Sequence, residues 1–156
     1  MAQKKPIVLN NGQFEQLQTG DYLVSVDLPQ LTNANASPIV IGTAVYSSAS
    51  NTVDKARANA IGTTNVIGLV ADPSIASASA GGVQIDGVLS ATTGQWDAIT
   101  GGTGGLTVGS FYYLSPTTAG LLTSTATTTT GEFSVSVGIA LSTTELKIEI
   151  QQRIKL

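Results

Sequence analysis

The stretch FSVSVGIALSTTELKIEI, residues 133–150, decides the fold. Phe133, Val135, Val137, Ile139 and Leu141 recur at every second position, and beyond a Ser-Thr-Thr turn Leu146, Ile148 and Ile150 do the same. A period of two puts each set on one side of a pleated strand and the residues between on the other. Two successive strands are predicted, with those apolar residues facing a core. Gly138 sits at the centre of the first, where a bulge or a close backbone approach suits a residue with no side chain. Glu145, Lys147 and Glu149 share the other side of the second strand, the pattern of a solvated, charge-blunted sheet edge.

The same phrase occurs once earlier in the chain. GTAVYSS at 42–48 parallels GSFYYLS at 109–115, and VIGLVAD at 66–72 parallels SVGIALS at 136–142, with Gly68 and Gly138 in matching places. Polar, small-residue stretches separate the members of each pair, at 49–64 and 116–131, and one more strand follows each, GVQIDGVL at 82–89 and ELKIEI at 145–150. Two quasi-repeated three-strand units, over about 42–89 and 109–150, are expected. Neither buries a face alone, so the expectation is that they pack into a small barrel or sandwich.

Composition agrees with an all-β domain. In 156 residues only 11% are charged, against 42% hydrophobic, so the outer surface is built mainly from Ser, Thr, Asn, Gln and Gly, which suit strands and turns better than solvated helices. The chain has neither His nor Cys, which removes imidazole bases, thiol nucleophiles, zinc fingers and disulfides. The ten carboxylates show no paired spacing, and no serine lies in a nucleophile elbow. Asp54, Lys55 and Arg57 read as a salt-linked loop or short helical turn. No enzyme, cofactor or metal is expected. With a net charge of −3 and no basic stripe, no nucleic-acid partner is expected, and no apolar run approaches a membrane span.

GQWDAITGGTGG at 94–105 lacks a Gly-Lys-Ser/Thr ending and a following helix, so it reads as a surface turn and not as a phosphate loop. Trp96 beside it has two readings, a lid on one end of the barrel or an anchor for a partner. The Thr-rich tract at 123–130 reads as a strand end and a solvent-facing loop.

At the N-terminus, PIVL at 6–9 and FEQL at 14–17 flank the turn-forming Asn10-Asn11-Gly12-Gln13, which predicts a short hairpin or hooked arm. DYLVSVDL at 21–28 alternates as a strand with one wet face. PQLTNANASP at 29–38, bracketed by prolines, reads as the boundary between an arm with first strand (1–38) and a body (39–156).

These phrases together, QKKPIVLNNGQFEQLQTGD with GTAVYSS, VIGLVAD, GVQIDGVL, GSFYYLSPTTAGLLT and VGIALSTTELKIEI, resemble the small β-rich structural proteins of tailed bacteriophages, among them capsid decoration (cement) proteins. The resemblance implies a virion component on the capsid outer surface, made in the host cytoplasm, with a homotrimer and the major capsid protein as partners. The expected contact residues are Lys4, Lys5, Ile7, Val8, Leu9, Phe14 and Leu17, with Trp96 as the anchor. A fibre needs a shaft and a separate tip, for which this chain leaves no length, so decoration is favoured over a head-fibre, tail-fibre or collar adaptor. A carbohydrate-binding adhesin module is the other alternative, with Tyr46, Trp96 and Tyr112 exposed to stack on sugar rings.

Overall fold

The computed structural model describes residues 28–156 and the backbone of residues 7–10 and 13–16. The N-terminal strands are β1 (Ile7–Asn10) and β2 (Gln13–Gln16). The first half of the body holds β3 (Gln30–Asn33), β4 (Ile39–Val40), β5 (Ala44–Ala49), β6 (Thr52–Lys55), β7 (Val66–Val70), β8 (Ser74–Ile75) and β9 (Ala80–Gln84). The second half holds β10 (Gly87–Ser90), helix α1 (Thr93–Thr100), β11 (Phe111–Leu114), β12 (Leu122–Thr123), β13 (Phe133–Ser134), β14 (Ser136–Ala140), β15 (Glu145–Ile148) and β16 (Ile154–Lys155). The fold is all-β apart from α1.

Strands β3-β6-β5-β7-β9 form a closed barrel, and β10-β15-β14-β11-β12 form an open five-stranded sheet. The two have the same internal order. Val45 of β5 stands opposite Gly68 of β7, and the register then shifts so that Tyr46 faces Val66. Tyr112 of β11 stands opposite Gly138 of β14, and the register shifts so that Tyr113 faces Ser136. The turns before these strands match as well, since Gly42 N–H donates to the Val70 carbonyl and Gly109 N–H to the Ala140 carbonyl, both at 2.8 Å. Gly42 and Gly109 have φ of 83° and 77°, a left-handed region that favours glycine. The repeat is therefore real, but it is a five-strand unit and not a three-strand one.

Two expectations change with it. GVQIDGVL is not one strand: β9 ends at Gln84, the chain turns through Ile85 and Asp86, and β10 begins the second sheet beside β15 at Gly87. The segment at 29–38 is not a linker, because β3 pairs with β9 on one side and, in parallel, with β6 on the other, which closes the barrel. Its polarity is consumed internally. Asn33 is wholly buried, its Nδ2 donating to the carbonyls of Ser37 (3.1 Å) and Ile75 (3.0 Å) while its Oδ1 accepts from Asn35 N–H (2.8 Å). The strand expected at 21–28 lies, but for Leu28, outside the described residues.

Gly68 and Gly138 behave as read from the sequence. A methyl group at Gly68 would run into the Gln84 carbonyl oxygen, and one at Gly138 into that of Lys147, so both bulges admit neighbouring backbone that no side chain would allow. The bulge in β14 also corrects the predicted core. An extra residue resets the alternation, so Phe133, Val135 and Val137 are buried but Ala140 takes the next inward place. Ile139 is half-buried and Leu141 is 48% exposed. Leu146 and Ile148 are buried, and Ile150 packs on the core edge.

Two cores result. Val45, Val53, Val70 and Val83 fill the barrel with Ile39 and Ile75, which the small β4–β8 ladder brings in. A larger core lies between the barrel's outer side, with Ala44, Val66 and Leu69, and the inner face of the open sheet, with Tyr112, Leu122, Ala140 and Leu146. The open sheet is thus completed by the closed one.

Helix α1 is the element that the all-β reading missed. Thr92 caps it, accepting from Gln95 N–H while the Gln95 side chain accepts from Thr92 N–H at 2.8 Å, and Gly101 ends it at φ 70°. The polar stretch at 49–64, where Asp54, Lys55 and Arg57 read as a loop or short helical turn, contains β6. There Asp54 accepts from Asn35 Nδ2 at 3.0 Å, and Arg57 Nε donates to the Pro116 carbonyl at 2.9 Å, so the expected salt link is replaced by two separate hydrogen bonds. Nor is β15 an edge: it lies between β10 and β14, with Lys147 and Glu149 joined at 3.0 Å on its outer side.

Candidate functional site

Among the expected contact residues, Lys4, Lys5 and Leu17 lie outside the described residues. Ile7, Val8, Leu9 and Phe14 lie in the hairpin, where β1 and β2 pair antiparallel with Ile7 opposite Gln16 and Asn10 opposite Gln13. This hairpin is a two-stranded sheet of its own, separate from the barrel and the open sheet.

Trp96 is a different case. It is fully buried, with its indole N–H donating to the Thr144 carbonyl at 2.9 Å. Its ring lies so close to Gly42 that a Cβ there would stand 3.1 Å from Cζ3. It therefore fastens the helix between the two halves and has no surface to offer a partner, which corrects its assignment as an anchor. The sugar-stacking reading loses its platform by the same measure. Tyr112 is also buried, with its hydroxyl accepting from Thr107 N–H at 2.9 Å, and Tyr46 is half-buried against the larger core.

The Gly-rich loop is organised by its own chain. Asp97 accepts from Gly104 N–H at 3.1 Å and from Gly105 N–H at 2.7 Å, so the backbone donors that would cradle a phosphate already hold a carboxylate. A groove of about 500 Å³ opens between the start of β7 and the segment after β15. Its polar lining is Thr64, Asn65, Gln151, Gln152 and Arg153, with the Arg153 guanidinium donating to Asn65 Oδ1. That set forms hydrogen bonds and includes no carboxylate. Among the described residues no three His, Cys, Asp or Glu side chains converge as metal ligands, and no helix is long and apolar enough to cross a membrane.

The open sheet also presents a surface. The outer side of the open sheet carries Val88, Phe111 and Leu141, each between 43% and 48% exposed, with half-buried Ile139 among them. The register places Val88, Lys147, Ile139 and Phe111 in one row across four strands. Strict alternation hid this face by sending Ile139 and Leu141 to the core. The readable signal was Gly138: a bulge at that position means that the residues after it change sides.

The chain matches no protein-family model, no curated protein and no solved structure.

Proposed function

We propose that this protein is a structural coat component, a decoration protein that attaches to a preformed phage shell in many copies and stabilises the expanded form. The observation that carries the reading is the N-terminal hairpin, whose four-residue strands, among the described residues, pair only with each other while the body closes without them. An isolated two-stranded hairpin is marginal in water, so such an element is suited to pack on, or add strands to, another chain. In this reading Ile7, Val8, Leu9, Phe14 and Leu17 provide the apolar contact, and Lys4 and Lys5 meet an acidic surface.

A ligand that prefers one state of a shell stabilises that state by mass action. Several linked arms on one assembly raise one another's effective concentration, so each contact can be weak. The resemblance to phage structural proteins names the shell, with the major capsid protein as the partner. Deleting residues 1–20 removes the arm and leaves every barrel strand in place. The truncated chain is expected to keep its far-ultraviolet circular dichroism and to lose co-sedimentation with particles that lack the protein. Saturation of those particles by the truncated chain would rule the arm out.

A further inference from the structure

The equivalence of the two halves identifies a contact surface on the body. In the closed half, Ile41, Ala44, Leu69 and Ala71 point away from the barrel interior and into the core shared with the open sheet. Matching registers and turn hydrogen bonds put Val108, Phe111, Ile139 and Leu141 in the corresponding places of the open half. These face outward: Val108 is 62% exposed, Phe111 and Leu141 are each 48% exposed, and Ile139 is half-buried. The chain thus carries twice a face that it buries once. An exposed apolar sheet face of this kind marks an interaction site.

We propose that this face is a contact between two copies of this chain, packed like face on like face. Three observations select that occupant. The equivalent face of the closed half is covered by a β-sheet of this same chain, so sheet-on-sheet packing is its established mode. Val88 lies on the same outer side, and the other exposed large apolar residues among those described, Val40, Ile61, Ile85 and the neighbouring pair Ile154 and Leu156, lie apart from it and from one another, so the matching apolar surface on a second copy is the same one. Lys147 lies in the row between Val88 and Ile139, with Glu145 and Glu149 before and after it along the chain, so antiparallel copies that set Lys147 against Glu145 pair opposite charges across the contact. Like-on-like contact is two-fold, whereas the resemblance implies three copies. The inference goes beyond the function proposed above and needs no shell.

The test uses the full-length chain alone. Its mass by sedimentation equilibrium is expected to be twice the 15.9 kDa of one chain, and Phe111→Glu is expected to weaken association by roughly tenfold or more while leaving the circular dichroism unchanged. The absence of cysteine makes single-site labelling clean. Across sheets about 10 Å apart a short bis-maleimide joins like positions, so Ile139→Cys should crosslink to a dimer and Ile61→Cys should not. A monomer at every concentration, a three-copy assembly, association indifferent to Phe111→Glu, or equal crosslinking at both cysteines would each overturn the proposal. None of these results touches attachment through the arm, which the particle co-sedimentation tests separately.

Discussion

The closed half and the open half use one strand order to two ends. In the first, β3 pairs with both β9 and β6, and the barrel interior is sealed by Val45, Val53, Val70 and Val83. In the second, β10 pairs with β15 alone, because after Ser90 the chain leaves the sheet and winds into α1 instead of reaching β12, the counterpart of β6. The residues equivalent to the barrel interior, among them Tyr112, Leu122, Ala140 and Leu146, then need another cover, which the barrel's own outer side and Trp96 supply. A repeat can thus diverge by one connection and turn a self-sufficient unit into one that leans on its neighbour.

If the two bulges are the common device, removing either should do equal and large damage. Gly68→Ala and Gly138→Ala each drive a methyl group into a carbonyl oxygen of the adjoining strand, in the middle of a packed ladder. Each is expected to cost about 3 kcal/mol or more, at the upper end of overpacking, because backbone must move. Urea denaturation of the two variants measures this. A substitution harmless in one half and severe in the other would break the equivalence.

A matched pair of truncations sharpens the contrast between the halves. Leu69 and Ile139 hold equivalent places, but Leu69 is fully buried and Ile139 half-buried. Leu69→Ala should lose about 3 kcal/mol through transfer and cavity terms together, and Ile139→Ala less than about 1 kcal/mol in the monomer. Thermal unfolding at low protein concentration separates the two values, since association would add to the second.

The loop after α1 gives a smaller effect. Asp97→Ala removes the carboxylate that accepts from Gly104 and Gly105 N–H, at an expected cost of about 1–2 kcal/mol. Hydrogen exchange at those two amides should rise before global unfolding does.

Much of this was legible before any coordinates. The period of two over 133–150, the repeat and the roles of Gly68 and Gly138 follow from residue type and spacing, because strands and bulges are local in sequence. The hairpin at β1 and β2 was legible in Asn11-Gly12 for the same reason. Barrel closure was not, since a parallel pairing of β3 with β6 depends on where two distant segments meet in space. Asn33 and Asn35 looked like linker residues because their polarity is satisfied by groups that only the fold brings near. The outward turn of Ile139 and Leu141 was available in principle, but it required carrying the bulge at Gly138 through to the alternation beyond it. Trp96 was ambiguous because burial and partner contact draw on the same property of a large aromatic ring.

The smallest effect lies where the halves part. Thr32 and Thr92 occupy corresponding positions, one strand residue beyond Leu31 and one beyond Ala91, as the pairings of β3 with β9 and of β10 with β15 place them. Thr32 continues into the ladder that closes the barrel, its N–H donating to the Asn51 carbonyl at 2.9 Å. Thr92 instead caps a helix, so its hydroxyl and N–H are engaged with Gln95. Thr92→Ala removes that cap and should cost about 1 kcal/mol, and Thr92→Ser should restore most of it, because serine retains the hydroxyl that meets Gln95 N–H. Thr32→Ala keeps its main-chain bond and should cost less than its counterpart. Chemical denaturation of the three variants tests whether the side chain at this position sets the course of the second half while the backbone alone suffices in the first.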